Sequence, residues 1–228
     1  MGRVLRPRRA DGAFNIQGIP SDEGDHWDMT MRLPYLSRDE LSPQGQDVWE
    51  LIHASRGARS VDSEGHLVGP FNAFVHCPSI GIHLGKLGAE LRFGSSLDPR
   101  LLELAIITTG ARWRAEFEWW AHAALARQQG IPDGVIEDIR SGRIPEFESD
   151  DERIVYSLAK CLVETGSVDD TTYKEGLAAL GTTAMVELVI LCGYYTTISF
   201  VLNAFDVPLP DGVPTAWKDV SEDCRPDG

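Results

Sequence analysis

Apolar residues along the chain recur mostly at three- and four-residue intervals, and no segment alternates polar with apolar over strand length, so the pattern predicts an all-α protein. Helix openings are written locally. Ser42 is a capping residue, Pro43 suits a first turn, and Val48, Leu51 and Ile52 form a stripe on one face, predicting a helix that ends near Ser55-Arg56-Gly57. A polar loop then leads to Gly69-Pro70-Phe71, and two short helices, 71–76 and 80–91, flank Pro78. Asp98-Pro99 opens a strong helix whose stretch 101–107 is almost wholly apolar, so it is expected to be buried on most sides. Further helices are predicted over 113–129, 132–141, 150–164, 169–180 and 182–205, with Gly130, Gly181 and the Ser/Asp cluster at 167–170 as punctuation.

The ends look different from the middle. Residues 1–32 lack periodicity and are rich in Gly, Asp and Arg, predicting an extended or partly disordered arm; 207–228 contains Pro208, Pro210, Pro214 and Pro226 and reads as an extended tail. The helical domain is therefore expected over 33–206. Within it, 102–107 (Leu-Glu-Leu-Ala-Ile-Ile) echoes 186–191 (Val-Glu-Leu-Val-Ile-Leu), compatible with an internal helical duplication or with chance similarity between two apolar helices.

Composition narrows the class of function. A chain of 228 residues is long enough to bury a core without staples, and its formal net charge of -14 disfavours nucleic acid and anionic membranes as partners. The Arg-rich start lacks the apolar stretch of a secretory signal, so a cytoplasmic location is expected. Cys77, Cys161, Cys192 and Cys224 lie far apart with no Cys-x-x-Cys pair, which argues against a zinc knuckle or a dithiol redox motif. The most apolar stretch, 186–202, is interrupted by Glu187, Thr196, Thr197 and Ser199 and reads as a core helix rather than a membrane span.

Candidate chemistry concentrates in two helices. Glu103 is a carboxylate among apolar neighbours, which demands a partner or a raised pKa. Glu118 and His122 are four apart, on one helical face, where a carboxylate fixes or charges an imidazole; the alternative is an ordinary helical ion pair. Glu116 lies about 200° around the helix from Glu118 and reads as a solvent or interface charge. Trp119 and Trp120 either wall a pocket or fill core. An anionic substrate would need a cation, for which Arg56, Arg59, Arg92, Arg100 and Arg112 are candidates, Arg56 standing out at a helix end before Gly69-Pro70-Phe71. His53, His76 and His83 read as structural or surface residues.

Over roughly 33–206 the chain resembles the carboxymuconolactone decarboxylase and alkylhydroperoxidase D superfamily, in its decarboxylase-type branch. The resemblance rests on Leu33-Pro34, on 44–49 (Gln-Gly-Gln-Asp-Val-Trp), on Gly69-Pro70-Phe71, on 100–104 (Arg-Leu-Leu-Glu-Leu), and on Glu118-Trp119, His122, Ala126 and Gly130 in their order and spacing. The peroxidase branch carries a Glu followed after eleven residues by Cys-x-x-Cys-x-x-x-His; here those positions hold Glu103, Ala115, Glu118 and His122. With both cysteines absent, thiol peroxidase chemistry is removed and an acid–base set remains. The resemblance implies a compact helical fold, a homo-oligomer (trimer or hexamer), and a lyase that decarboxylates a small, anionic, carboxylated lactone without cofactor or metal. On that expectation His122, Glu118 and Glu103 are catalytic, and Trp119, Phe71, Arg56 and Arg92 line the substrate site. The same set also suits an isomerase, dehydratase or hydrolase of another conjugated carbonyl compound, or a non-catalytic helical oligomer.

Overall fold

The computed structural model describes residues 32–217. The expected arm, apart from Arg32, lies outside the described residues, as do the end of the expected tail, 218–228, and Cys224. Among the described residues eight α-helices follow in order: α1 (Pro43–Arg56), α2 (Pro70–His76), α3 (Pro78–Phe93), α4 (Pro99–Arg112), α5 (Glu116–Gln128), α6 (Asp133–Arg140), α7 (Asp150–Thr165) and α8 (Asp170–Ala204). Among the described residues there is no strand, only a single antiparallel bridge between Val61 and Leu67 in the α1–α2 loop.

Helix starts follow their caps. The Ser42 side chain accepts from the Gly45 N–H, Asp98 from the Arg100 N–H, and Asp169 from those of Thr171 and Thr172, each satisfying donors that the first turn leaves open. α8 runs through the two helices expected at 169–180 and 182–205, but Gly181 has φ 74° and ψ 171°, so the run is kinked there. Glycine reaches that left-handed region without the Cβ clash that other residues meet.

The largest departure from the sequence pattern lies between α4 and α5. The predicted helix began at 113; instead Trp113–Ala115 form a turn in which Arg114 has φ 47°. Ala115 N–H donates to Gly110 O at 3.1 Å and Arg114 N–H to Ala111 O at 3.2 Å, so the last carbonyls of α4 are satisfied by the reversal itself. α5 therefore runs back along α4 and sets its first turns against the middle of that helix.

α4 is the central element, packed against α5, α6, α7 and α8. From Leu102 to Gly110 every one of its residues is buried, as its apolar run predicts. One core cluster joins Val48, Ile52, Phe74, Ile106, Leu158, Leu188 and Ile198 across α1, α2, α4, α7 and α8. A second joins Leu104, Ile107, Trp119 and Ile136 on the side of α5 and α6. Truncating such fully buried Leu or Ile side chains to Ala costs about 2–5 kcal/mol.

By length and composition α8 would suffice to cross a membrane: its most apolar window has mean hydropathy 1.8, and 28% of that window is buried. One of its faces packs on α4 and α7 while Val186, Val189, Ile190 and Phe200 remain exposed. The two echoing segments have different surroundings. Glu103 is wholly buried, whereas Glu187 Oε2 accepts from the Ser96 N–H at 2.8 Å and from the Ser95 and Ser96 hydroxyls at 2.9 and 2.8 Å.

After α8 the chain turns back. Residues 207–217 are not helical; Ala216 and Trp217 donate their N–H groups to the Glu116 carboxylate at 2.6 and 2.9 Å, and Arg140 donates to Ala216 O at 2.6 Å. Glu116, read as a solvent or interface charge, is thus an intramolecular clamp on the closing segment.

Candidate active site

The α4–α5 reversal brings Glu103 and His122, nineteen positions apart, into contact: His122 Nδ1 lies 2.7 Å from Glu103 Oε2. On the other side of the ring, Nε2 lies 2.9 Å from Glu118 Oε1, an ion-pair contact without hydrogen-bond alignment. α3 contributes Arg92, whose Nη1 sits 2.8 Å from Glu103 Oε1 and 3.1 Å from His122 Nδ1. The four side chains are nearly closed off, with Glu103 and Glu118 1% and 5% exposed and Arg92 and His122 11% and 12%.

Proton positions follow from these partners. Arg92 can only donate, and Glu103 accepts in its charged form, so the proton of Nδ1 belongs to the bond with Glu103. Burial disfavours charge on His122, but Glu118 and Glu103 outweigh it, against opposition from Arg92, and hold its pKa above the ordinary value. Burial likewise disfavours charge on Glu103, and Arg92 together with His122 outweighs it and holds that carboxyl below the ordinary range. The demand that Glu103 made in the sequence is met by partners rather than by protonation. An imidazolium flanked by two carboxylates results, with Nδ1 anchored and Nε2 the less constrained end.

Glycines make the close packing possible. An added Cβ at Gly110 would come 3.4 Å from Glu118 Cγ, so α5 lies tight against α4 where Glu118 enters. Gly69 has φ 63°, and its Cβ would fall 2.6 Å from the Phe117 ring; both conditions admit only glycine in Gly69-Pro70-Phe71. At Gly88 a Cβ would meet Tyr194 Oη at 2.2 Å and Arg56 Nη2 at 3.1 Å, which locates both groups against α3.

Sequence reasoning missed two tyrosines in the apolar run of α8. Tyr195 is buried with its ring edge-on to His122, centroids 5.2 Å apart, and it hydrogen-bonds with Arg92. Burial pushes its hydroxyl well above the ordinary range. Tyr194 stands at right angles to it, with its pKa pushed up to about 12 by burial. Their only sequence signal is two hydroxyl-bearing aromatics placed together in a buried helix, which demand partners.

The expected substrate-site residues divide. Arg92 is in the cluster as the partner of Glu103. Arg56 and Phe71 adjoin it together, the guanidinium lying over the Phe71 ring at 4.7 Å. Trp119 is packed instead in the second core cluster, edge-on to Trp217 at 5.2 Å, so the structure makes it a core residue that anchors the closing segment. Arg100 pairs with the buried Glu152, and Arg112 lies over Trp113. His53 stacks on Trp49, and His76 Nε2 lies 2.9 Å from Pro34 O. Among the described residues no group of three or more His, Cys, Asp or Glu side chains is arranged to hold a metal ion. The guanidinium that pairs with Glu103 in this cluster is that of Arg92.

The helices and their order give an all-helical, AhpD-like fold, in which Ala115 and Glu118 stand at the two cysteine positions of the peroxidase pattern. Among solved structures the chain resembles a protein of unknown function from Agrobacterium tumefaciens described as a putative antioxidant defence protein AhpD. It is 18% identical with a TM-score of 0.54, over 61% of this chain and 96% of that one. It also resembles the debrominase Bmp8, as a cysteine-to-alanine variant in complex with 2,3,4-tribromopyrrole (13% identical, TM-score 0.61, over 79% and 92% of the two chains). The apo form of Bmp8 compares similarly (12% identical, TM-score 0.60, over 78% and 91%). No protein-family model and no curated protein matches the chain. Likeness at such identities is likeness of fold, and the all-helical AhpD-like fold implied by the motifs is the one the chain has.

Proposed function

We propose that the protein is a cofactor-independent lyase that decarboxylates a small carboxylated lactone or related conjugated carbonyl compound. The observation that carries this reading is His122 held between Glu103 and Glu118 in a nearly closed cluster, an arrangement that keeps the imidazole charged and ready to give up a proton. In the reaction the bond to the carboxylate carbon breaks, carbon dioxide leaves, and the bonding electron pair passes into the conjugated carbonyl as a dienolate. His122 Nε2–H then protonates the carbon, and the imidazole recovers its proton from solvent. Glu103 orients the ring through Nδ1, while Glu118 stabilises the imidazolium and faces the delivering nitrogen. Bmp8, which has the same fold, was crystallised with 2,3,4-tribromopyrrole, a small flat ring, and this supports a ligand of that size.

The reading extends to an anionic substrate, to assembly as a trimer or hexamer, and to a cytoplasmic location. Free Cys77, Cys161 and Cys192 are in keeping with a reducing compartment.

The test is carbon dioxide release from carboxymuconolactone by wild type and His122→Gln, with thermal unfolding of both. A folded His122→Gln should lose at least about 100-fold in rate. Retained turnover in that variant removes His122 from the mechanism. A folded wild type that releases no gas overturns the decarboxylase reading, and conversion of the compound without gas replaces it with isomerisation, dehydration or hydrolysis.

A further inference from the structure

When the bond to the departing carboxylate breaks, the charge of the dienolate gathers on the carbonyl oxygen. A hydrogen-bond donor aimed there lowers the barrier, because it acts on the transition state more than on the substrate. The groups of the ionic cluster are otherwise engaged. Glu103 and Glu118 are charged acceptors that would repel the oxygen, the Nδ1 proton of His122 is held by Glu103, and its Nε2 proton is the one delivered to carbon. Arg92 turns Nη1 to Glu103 at 2.8 Å and to His122 at 3.1 Å.

Tyr195 has a donor to give. Arg92 carries N–H groups and no acceptor, so in its bond with Tyr195 the phenol oxygen accepts and the phenol hydrogen points elsewhere. Among the described residues no group accepts that hydrogen; Glu118 and Glu103 reach the phenol through their charges alone. A buried donor left unused is costly, and a substrate oxygen would employ it. The residue is 4% exposed and its ring stands edge-on to His122, at an interplanar angle of 80°, so the hydroxyl is held in fixed register with the imidazole. Accepting from a guanidinium polarises the O–H and makes it a stronger donor. Burial holds the hydroxyl well above the ordinary pKa range, so it keeps its proton and does not compete with His122 as an acid or serve as a base.

We propose that Tyr195 is a further catalytic residue, its hydroxyl donating a hydrogen bond to the substrate's carbonyl oxygen as that oxygen takes up negative charge. The inference rests on the decarboxylase reading above. The carbon–carboxylate bond breaks, carbon dioxide leaves, and the electron pair moves through the conjugated bonds, leaving the charge on oxygen while Tyr195 keeps its proton. In the second step the oxygen pair re-forms the carbonyl, and the displaced π pair takes the proton of His122 Nε2 as the new C–H bond. The substrate therefore lies with its carbonyl oxygen toward α8 and its reacting carbon toward α5.

The probe is tetronate, the enolate anion of a five-membered lactone, compared by calorimetry with the neutral lactone 2(5H)-furanone. Wild type should bind tetronate more tightly, because it carries on oxygen the charge that the dienolate develops. Tyr195→Phe, which removes one oxygen and keeps the ring, should weaken tetronate by between about 10-fold and 100-fold, as expected for loss of a charged hydrogen bond, and the furanone by less. With carboxymuconolactone, the same variant should lose about 100-fold or more in kcat with little change in KM, as when an oxyanion donor is removed. Its His122 imidazole titration, followed by NMR, should stay in place, since both carboxylates are untouched. Tyr195→3-fluorotyrosine, which restores a hydroxyl, should bind tetronate at least as tightly as wild type and serves as the comparison if the Phe variant does not fold. No preference for tetronate in wild type, equal losses of tetronate and furanone in Tyr195→Phe, a displaced His122 titration in that variant, or weaker tetronate binding by the fluorinated protein overturns the proposal. Gas release separates the two readings. Tyr195-dependent tetronate binding without carbon dioxide release by wild type sinks the decarboxylase and leaves the enolate site, whereas release undiminished in Tyr195→Phe does the reverse.

Discussion

At the scale of single residues, the opposite pKa directions of His122 and Glu103 make the cluster a pH-bounded unit. His122 is held above its ordinary value of 6.5, so its contribution to stability is complete below that pH and is lost as pH rises through the folded value. Glu103 is held below its ordinary value of 4.5, so its contribution is complete above that pH and is lost as pH falls through the lowered value. The pairing is whole between these limits and weakens on both flanks. Glu118→Gln removes one of the two carboxylates that hold the proton on His122 while preserving shape. The His122 pKa, followed by NMR of the labelled imidazole, should therefore fall, and the alkaline limb of the rate profile should move to lower pH with it. An unmoved His122 titration would show that Glu118 contributes no charge to the ring. Part of this was legible beforehand. The one-turn spacing of Glu118 and His122 and the solitary carboxylate at 103 pointed to the cluster, whereas the bond between Arg92 and Glu103 joins two helices and leaves no local trace. For Trp119 the sequence allows either a pocket wall or core, because burial against Trp217 and service as a pocket wall require the same aromatic residue.

Elements show a similar division between what neighbours in sequence dictate and what tertiary contact dictates. Ser42-Pro43, Asp98-Pro99 and Asp169 announce their helices because capping is a contact between residues two or three apart. The α4–α5 break was hidden because Arg114, not glycine, takes the left-handed position, and the apolar spacing of 113–129 continues across it. That break sets Glu118 and His122 against α4, so the least legible turn is the one the site depends on. Gly88 was equally silent, since a small residue in a helix signals nothing until its neighbour is known. With Tyr194 Oη 2.2 Å from where a Cβ would stand, Gly88→Ala forces α8 or the tyrosine to move and should destabilise by about 1–3 kcal/mol, the usual cost of overpacking. Tyr194→Phe removes the nearest of the clashing atoms. In a double-mutant cycle by chemical denaturation, the pair should therefore lose less than the sum of the single variants. Strict additivity would mean that the ring is displaced by something other than contact with Gly88.

For the whole molecule the unresolved matter is the outer face of α8. Val186, Val189 and Ile190, followed by Phe200, are 41–52% exposed and recur at helical spacing on a chain whose formal net charge is -14. A contiguous apolar stripe of this kind is a surface that monomers seldom leave open. The buried side of the same helix carries Tyr194 and Tyr195 toward the candidate site, so whatever covers the stripe also braces the groups around Arg56 and His122. A second copy of the chain is the occupant we propose, because an isologous contact brings identical apolar stripes together and leaves the acidic surface in solvent. Ile190→Glu places a like charge on both sides of such a contact. Light scattering after size exclusion should give a mass of two or more chains for wild type and a smaller assembly for the variant, with helical content retained. Activity should fall along with the mass, through loss of bracing at α8 rather than through any change in His122. A wild type that runs as a single chain of 25.1 kDa at micromolar concentration would leave the stripe without a self-partner and remove oligomerisation from the account of the site.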